Sequence, residues 1–317
     1  MKVLVTGGTG YLGRAVVRAL ADRGHDPVVF SRRATAGGLP GRAVDGDVRD
    51  RDALVRAAAG CDVICHLAAL VSIWRRRRAD FDDVNVGGLA NALAAADQCG
   101  VTRIVYTSSF LALPPAGRTE ALEANDYQRT KVAADRLSDR AVAGGAPLAR
   151  VYPGVVYGPG SFTEGNLVGR LIADHLRHRL PGLVGPEHAW SYAYVDDVAA
   201  GHVAAIERGR TGARYILGGV NASQQRLFAI VQQITGRRPP RRIPFVLAEL
   251  LAAAEECRVR ISGGMPLITH GAVEIFRHDW TLDSSVAGRE LQYSVTPLET
   301  GVARTVASIA SGGTGRS

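Results

Sequence analysis

Through the first half of the chain, short runs of β-branched and aliphatic residues alternate with stretches whose apolar residues recur every three or four positions. Lys2-Val3-Leu4-Val5-Thr6 is the first such run, and Arg14 to Ala21 follows it with helical spacing. Strands are expected again at Pro27 to Phe30, within 43–48, at Asp62 to Leu67 and at Arg103 to Thr107. Helices are expected from Ala53-Leu54, from about Phe81 to Cys99 with Gly100 as the stop, and through Tyr127 to about Val142. Strand then helix, repeated, predicts an α/β fold built on a doubly wound, mostly parallel sheet.

After Pro159 the pattern changes. A helix is expected over Asn166 to Arg179, a turn at Leu180-Pro181-Gly182, and then the aromatic run Ala189 to Tyr194. Asp196 and Asp197 are placed to cap a helix running through Ile206. A strand at Tyr215 to Leu217, a helix from Ser223 to Thr235-Gly236 and a long helix from about Phe245 complete the pattern. This predicts a first domain over 1–158 with a returning segment at about 190–218, and a smaller, discontinuous C-terminal domain over 159–189 and 219–310. The tail 311–317 has linker composition and is expected to be disordered.

Chemistry enters where the first strand ends, at Gly7-Gly8-Thr9-Gly10-Tyr11-Leu12-Gly13. A buried strand that feeds a glycine-rich turn and opens a helix is the architecture of a dinucleotide site. Gly7 can take the angles of a tight turn, Gly10 lets the main chain approach a pyrophosphate, and Gly13 lets the helix lie close on its strand. The first amides of that helix have no internal partner and point at phosphate. The second strand ends in Ser31-Arg32-Arg33, without the acidic residue that many NAD sites use for ribose. An arginine there suits a 2′-phosphate, which favours NADP over NAD; the alternative is two solvated or adenine-stacking arginines in a site that accepts NAD. Asp47 can accept from the adenine amine or cap the next helix. Leu67-Ala68-Ala69 leaves room at a strand end for a cofactor to cross the sheet, and His66 beside it reads as a packed structural histidine.

Tyr127 and Lys131 lie four apart on one expected helix, so phenol and ammonium share a face. A phenol of pKa about 10 is a poor base at neutral pH, and a fixed cation nearby favours its ionised form. Ser109, at the end of the fifth strand after Thr107, is placed to hydrogen-bond a substrate oxygen. Tyr127 then exchanges a proton while hydride moves between carbon and nicotinamide. Lys131 and Lys2 are the only lysines in a chain that otherwise uses arginine, and a compact ammonium is not interchangeable with a guanidinium.

These motifs resemble the extended short-chain dehydrogenase/reductases over essentially the whole chain: Thr6 to Gly13, Gly46-Asp47-Val48, His66 to Ala69, Asn85 to Gly88, Thr107 to Ser109, Tyr127 with Lys131, Pro153 to Gly160 and Tyr194 to Ala199. Within them the chain looks most like the dihydroflavonol-4-reductase-like branch, and in particular farnesol dehydrogenase-type proteins. Ile73-Trp74, Ser108 to Leu113, Val151 to Gly154 and Tyr215 to Ser223 are among the segments that carry this likeness. The resemblance implies a Rossmann fold and a catalytic set of Ser109 (or its neighbour Ser108), Tyr127 and Lys131, with Asn85 in support. It implies phosphate contacts at Gly7, Thr9, Gly10, Tyr11, Leu12 and Gly13, an adenine contact at Asp47 and Val48, and a nicotinamide strand at Pro153, Val155 and Val156. It also implies a homodimer through the helices holding Asn85 and Tyr127. The segment from Ser109 to Tyr127 is shorter than usual for the class.

Composition narrows the rest. The 46% hydrophobic content is that of a globular protein that can bury a core, and the net charge of +8 is almost wholly arginine. The basic residues are scattered and no zinc-finger, homeodomain or RNA-binding pattern occurs, so a nucleic-acid partner is not expected. Cys61, Cys65, Cys99 and Cys257 have neither disulfide-framework nor zinc spacing, so no metal is expected. Met1 leads straight into the first strand and Phe245 to Ala254 is too short to span a bilayer, so a cytoplasmic protein without a membrane span is expected. Arg75 to Arg78 reads as a solvated face that could border the substrate mouth. Val71, Trp74, Phe110, Leu111, Tyr157, Phe162, Trp190 and Tyr192 are candidates for an apolar substrate wall, or else core residues. Together these point to a lipophilic alcohol or carbonyl substrate, isoprenoid, flavonoid-like or steroid-like. The alternative is a nucleotide-sugar epimerase or dehydratase with retained NAD, in which Asn166, Arg170 and Arg177 could hold a diphosphate.

Overall fold

The protein is described here by a computed structural model covering residues 1–312; positions 313–317 of the expected tail lie outside the described residues. In chain order the elements are β1 (Lys2–Thr6), α1 (Tyr11–Asp22), β2 (Asp26–Ser31), β3 (Arg42–Asp45), α2 (Arg51–Ala58) and β4 (Val63–His66). The next helix begins as α3 (Ala79–Phe81), passes through a π-helical stretch (Asp82–Gly87) and continues as α4 (Gly88–Cys99). Then come β5 (Arg103–Thr107), α5 (Asp126–Ala143), β6 (Leu148–Pro153), β7 (Val155–Tyr157), α6 (Leu167–Leu176), β8 (Leu183–Val184) and β9 (Ala189–Tyr194). The chain ends with α7 (Val195–Arg208), β10 (Arg214–Leu217), β11 (Val220–Ser223), α8 (Gln224–Thr235), β12 (Arg242–Ile243), α9 (Phe245–Ser262), α10 (His270–Phe276), α11 (Ser285–Leu291) and α12 (Leu298–Ala310).

Seven strands form one sheet in the order β10-β6-β5-β4-β1-β2-β3, and every pairing in it is parallel. Successive side chains of a strand point to opposite faces. Val3 and Val5 accordingly join a core with Val16, Leu20, Val203 and Ile206, whereas Leu4 joins one with Leu54, Leu89 and Leu148. Helices on both faces of a parallel sheet are the doubly wound arrangement expected from the sequence, and the strand order reverses between β1 and β4. A ligand crevice opens at such a reversal, outside the carboxyl ends of the strands.

A second apolar cluster lies outside the main sheet and is built from the three-stranded sheet β11-β9-β7 with α6, α8 and α12. Its largest fully buried members are Trp280, Tyr157, Tyr192 and Phe228. Within the expected returning segment, β10 pairs with β6 of the main sheet, while β9 pairs with β7 and β11 in the smaller one. Helices α10, α11 and α12 go beyond the elements expected from the sequence, although Leu298, Val302, Val306 and Ile309 carry helical spacing.

Two capping expectations are corrected. Asp50, not Asp47, caps α2 by accepting from the Ala53 amide at 3.0 Å. Asp196 and Asp197 lie inside the first turn of α7, which has no side-chain cap. Asp197 instead accepts from the Thr296 amide at 2.6 Å and the Thr296 hydroxyl at 2.8 Å, tying α7 to the segment that leads into α12. Replacing Asp197 by Ala leaves that half-buried amide without its charged acceptor. We expect a loss of about 1–3 kcal/mol, read as a lower midpoint of urea unfolding at unchanged slope.

Candidate active site

The turn after β1 is shaped by contacts that only glycine permits. Gly7 has φ +70°, and a Cβ there would stand 2.8 Å from the backbone of Ala68, at the end of β4. A Cβ on Gly13 would fall 2.2 Å from the Gly7 carbonyl oxygen, so α1 lies directly on the turn. Gly10, by contrast, is exposed, and it heads α1 with no side-chain cap and no acid in the first turn. The free amides of that turn and the open approach at Gly10 suit an anionic group. Thr9 donates to the Ser31 hydroxyl at 3.0 Å, which joins the turn to the end of β2 where Arg32 and Arg33 stand exposed. These residues fit a dinucleotide phosphate.

Not every expected cofactor residue has a free hand. Asp47 binds the Arg49 guanidinium at 2.7 and 3.0 Å, and that pairing, with the charge of Arg32, holds its carboxyl below the usual range. Tyr11 is buried, its hydroxyl has no partner, and its ring packs beneath Gly158 and Gly160. Val48 is buried against Gly88, and Leu67, Ala68 and Ala69 lie half-buried beyond β4. Pro153 ends β6, and Val155 and Val156 begin β7 just across Gly154.

The carboxyl end of β5 gathers the candidate catalytic side chains. Ser109 and Tyr127 interact through their hydroxyls, and Ser109 also accepts from the Leu111 amide at 3.2 Å. Lys131 is 3% exposed; its ammonium donates to the Thr107 carbonyl at 3.0 Å and lies 5.4 Å from the Tyr106 ring centre. Asn85, on the π-helical stretch, accepts from the Leu70 amide at 2.7 Å and donates to the Thr130 hydroxyl at 2.9 Å. It thereby clamps the loop after β4 to helix α5. Thr107 donates to His202, whose other ring nitrogen donates to the Val198 carbonyl; burial pushes this histidine down to about 4 and keeps it neutral. His66 is packed and 1% exposed, as expected from the sequence, and burial with the charge of Lys131 pushes it down to about 3.

The electrostatics differ from the sequence expectation in one respect. Burial pushes the Tyr127 phenol up to about 12, and what opposes it is the Ser109 hydrogen bond rather than the charge of Lys131. The ammonium is spent on Thr107 and on Asp135, one turn further along α5. Asp135 is a site residue that the sequence reading missed, although its i+4 spacing from Lys131 places it on the same face. Its carboxylate accepts from Tyr152 at 2.6 Å and Ser108 at 3.3 Å. Burial pulls Lys131 down to about 8 while the Asp135 charge resists.

The substrate-wall candidates separate into groups. Phe110, Leu111, Tyr157, Trp190 and Tyr192 are members of the second core cluster, and the hydroxyls of Tyr157 and Tyr192 and the indole N–H of Trp190 have no partner there. Phe162 is half-buried beneath the Arg177 guanidinium, and Val71 is half-buried in the loop after β4. Trp74 alone of the eight lines a cavity of about 300 Å³, which it shares with Ile73, Arg78, Asn125, Asp126 and Arg260, among others. The four-arginine run is partly engaged: Arg78 binds Asp126 at the head of α5 at 2.8 Å, and Arg77 binds Asp83 at 2.9 Å. Among the described residues no cluster of side chains could hold a metal, and no helix is long and apolar enough to cross a membrane.

The pattern of the NAD dependent epimerase/dehydratase family matches residues 3–218. The chain is 31% identical to sterol demethylase protein B of Methylococcus capsulatus, over 97% of this chain and 98% of that protein. It is 32% identical to a putative dihydroflavonol 4-reductase of Synechocystis, over 90% of this chain and 88% of that protein. Among solved structures, gox2253 is similar with a TM-score of 0.82 and 30% identity, covering 98% of each chain.

The chain's two lysines allow the site's electrostatics to be read directly, because ¹³C-lysine labelling gives only two side chains to follow by NMR. Lys131 should titrate near 8, well below the ordinary ~10.4, and at still lower pH in Asp135→Asn. The unfolded chain then holds more protons than the folded one between these values, so this group's contribution to stability rises with pH over that window. An ordinary titration for both lysines would show that the ammonium is not buried.

Proposed function

The chain belongs to the NAD dependent epimerase/dehydratase family and is an NAD(P)-dependent oxidoreductase, and from that premise we propose that it moves a hydride between nicotinamide and an alcohol or carbonyl carbon of a lipophilic small molecule. The observation that carries this reading is that Ser109 pairs with Tyr127 and Lys131 binds the Thr107 carbonyl at the carboxyl end of β5, in the same parallel sheet whose β1 ends in the glycine turn. The bound dinucleotide supplies the hydride donor or acceptor. The turn from Gly7 to Gly13 would hold the phosphates, and Pro153, Val155 and Val156 would border the nicotinamide end. Ser109 orients the substrate oxygen. Tyr127, which keeps its proton at neutral pH, donates it to that oxygen in the reductive direction and takes it back in the oxidative one. Lys131 would hold the cofactor ribose and remains the nearby positive charge, while Asn85 fixes the helix that carries Tyr127 and Lys131.

A lipophilic substrate is supported by the apolar and aromatic character of the neighbouring cluster and by a relative named for a sterol. In this reading segments 159–189 and 219–310 shape the substrate side. The exposed Arg32 and Arg33, with no acid at the end of β2, favour NADP. The nucleotide-sugar alternative loses one of its supports: Asn166 is fully buried, accepts from Gly169 and donates to the Gly158 carbonyl, so it has nothing left for a diphosphate.

Replacing Tyr127 by Phe should lower kcat by roughly 10²–10⁴-fold while dinucleotide affinity holds within about twofold. Equal loss of cofactor binding would make the phenol a structural group. Nicotinamide absorbance that stays silent with both cofactors across lipophilic alcohols and carbonyls, together with turnover of a nucleotide sugar, would transfer the chain to the second reading.

Cofactor choice is tested separately with Arg32→Ala/Arg33→Ala. The double variant should weaken NADP roughly tenfold or more and leave NAD nearly unchanged, measured by titration calorimetry. Parallel losses for both dinucleotides would assign these arginines to the adenine instead.

A further inference from the structure

Helix α9 turns outward the kind of face that helices ordinarily bury. Val246, Leu247, Leu250, Leu251 and Ile261 are 73%, 55%, 64%, 40% and 83% exposed. At helical spacing Val246, Leu247, Leu250 and Leu251 form one outer surface with the exposed Ala253, Ala254 and Cys257, and Ile261 follows beyond Arg258, which is exposed on the same face. Ala248, Ala252 and Val259 occupy the opposite, buried side. The acids of the helix are engaged elsewhere: Glu249 with Arg277, Glu255 with Arg258 and the Leu267 amide, Glu256 with the His270 amide. No charged side chain therefore interrupts the outer face from Val246 to Cys257. The turn beyond the helix extends the surface through Met265 and Leu267, 41% and 79% exposed. Single exposed leucines are ordinary, but a contiguous apolar stripe of this kind marks an interaction site.

The charge around the stripe indicates what covers it. Arg238 and Arg241 stand exposed just before the helix, and Arg260 stands exposed at its far end. Arg75 reaches the same end, where its guanidinium meets the Met265 sulfur at 3.8 Å. None of these four makes an ion pair among the described residues, whereas every acid of α9 is paired. A second copy docked face to face would bring two cationic rims together. An apolar helix face bordered by free arginines is complementary to lipid acyl chains beneath a negatively charged headgroup layer.

We propose that α9 and the turn after it seat this protein on an anionic phospholipid surface, the outer stripe entering the acyl boundary and Arg238, Arg241 and Arg260 meeting the headgroups. The cavity of about 300 Å³ borders the flank of the same helix through Glu256 and Arg260, and it reaches Asn125 and Asp126 just before Tyr127. Docking by α9 would therefore bring this cavity close to the lipid.

The test is flotation of the full chain with vesicles of phosphatidylcholine alone or mixed with phosphatidylglycerol, at low and high salt. Reaction of Cys257, exposed on the stripe, with a thiol reagent is followed alongside. Preferential binding to the anionic vesicles, weakened by salt and accompanied by protection of Cys257, is expected. Leu247→Glu/Leu250→Glu should reduce that binding roughly tenfold or more while dinucleotide binding is unchanged. Absence of binding, equal binding to neutral vesicles, or binding that survives the double variant overturns the proposal. A dimer that the double variant splits, with no vesicle binding, overturns it in favour of a second copy. Vesicle binding is read without turnover, so it stands or falls separately from the substrate proposed above.

Discussion

A single ammonium buried at the carboxyl end of β5 sets the terms for its surroundings. Taking a cation out of water is costly unless acceptors are waiting, and Lys131 meets that cost with a carbonyl, an aromatic face and a nearby carboxylate. Each of these is fixed by something further out. The Thr107 hydroxyl is tied to a neutral histidine on α7, and Asp135 accepts from Tyr152 of β6 and Ser108 after β5. Arg214 of β10 approaches Asp135 at 3.5 Å and binds Asp139 at 2.7 Å, and Asp139 is also paired with the buried Arg150. The charge is thus wired through three neighbouring strands and two helices.

The glycine turn works on the opposite principle. It gathers no side chains but removes them, so that β1, the start of α1 and the end of β4 come within contact distance. One end of the sheet then holds an open main-chain cradle next to a densely bonded cation. A dinucleotide laid across the reversal between β1 and β4 would have its phosphates on the first and its nicotinamide end toward the second, which is the reason for reading the two features together.

Much of this was legible in the chain alone. Alternating strand and helix patterns implied a doubly wound parallel sheet, because a sheet buried on both faces demands continuous apolar runs and crossover helices, while the strand order came only from the fold. Gly7 and Gly13 were legible because φ and Cβ clearance leave few substitutes, Gly10 because a bare main chain at a helix start admits an anion, and the Tyr127–Lys131 pair because residues four apart share a helix face. Asp135 was legible in principle by the same spacing. Its meaning was not, since nothing local says that Tyr152 and Ser108 will arrive beside it from two other elements.

The sequence by itself determined which residues could form strands, turns and a reactive helix face, since those properties depend on near neighbours in the chain. Only the tertiary structure decided who meets whom. It placed Tyr157, Trp190 and Tyr192 in a core cluster, left Lys131 bound to Thr107 rather than acidifying Tyr127, gave the cap of α2 to Asp50, and turned the leucines of α9 outward. The physical reason is common to all four. Burial and pairing are settled by elements far apart in sequence, and an aromatic or a leucine carries the same local signal whether its apolar surface ends against a core, a ligand or a membrane.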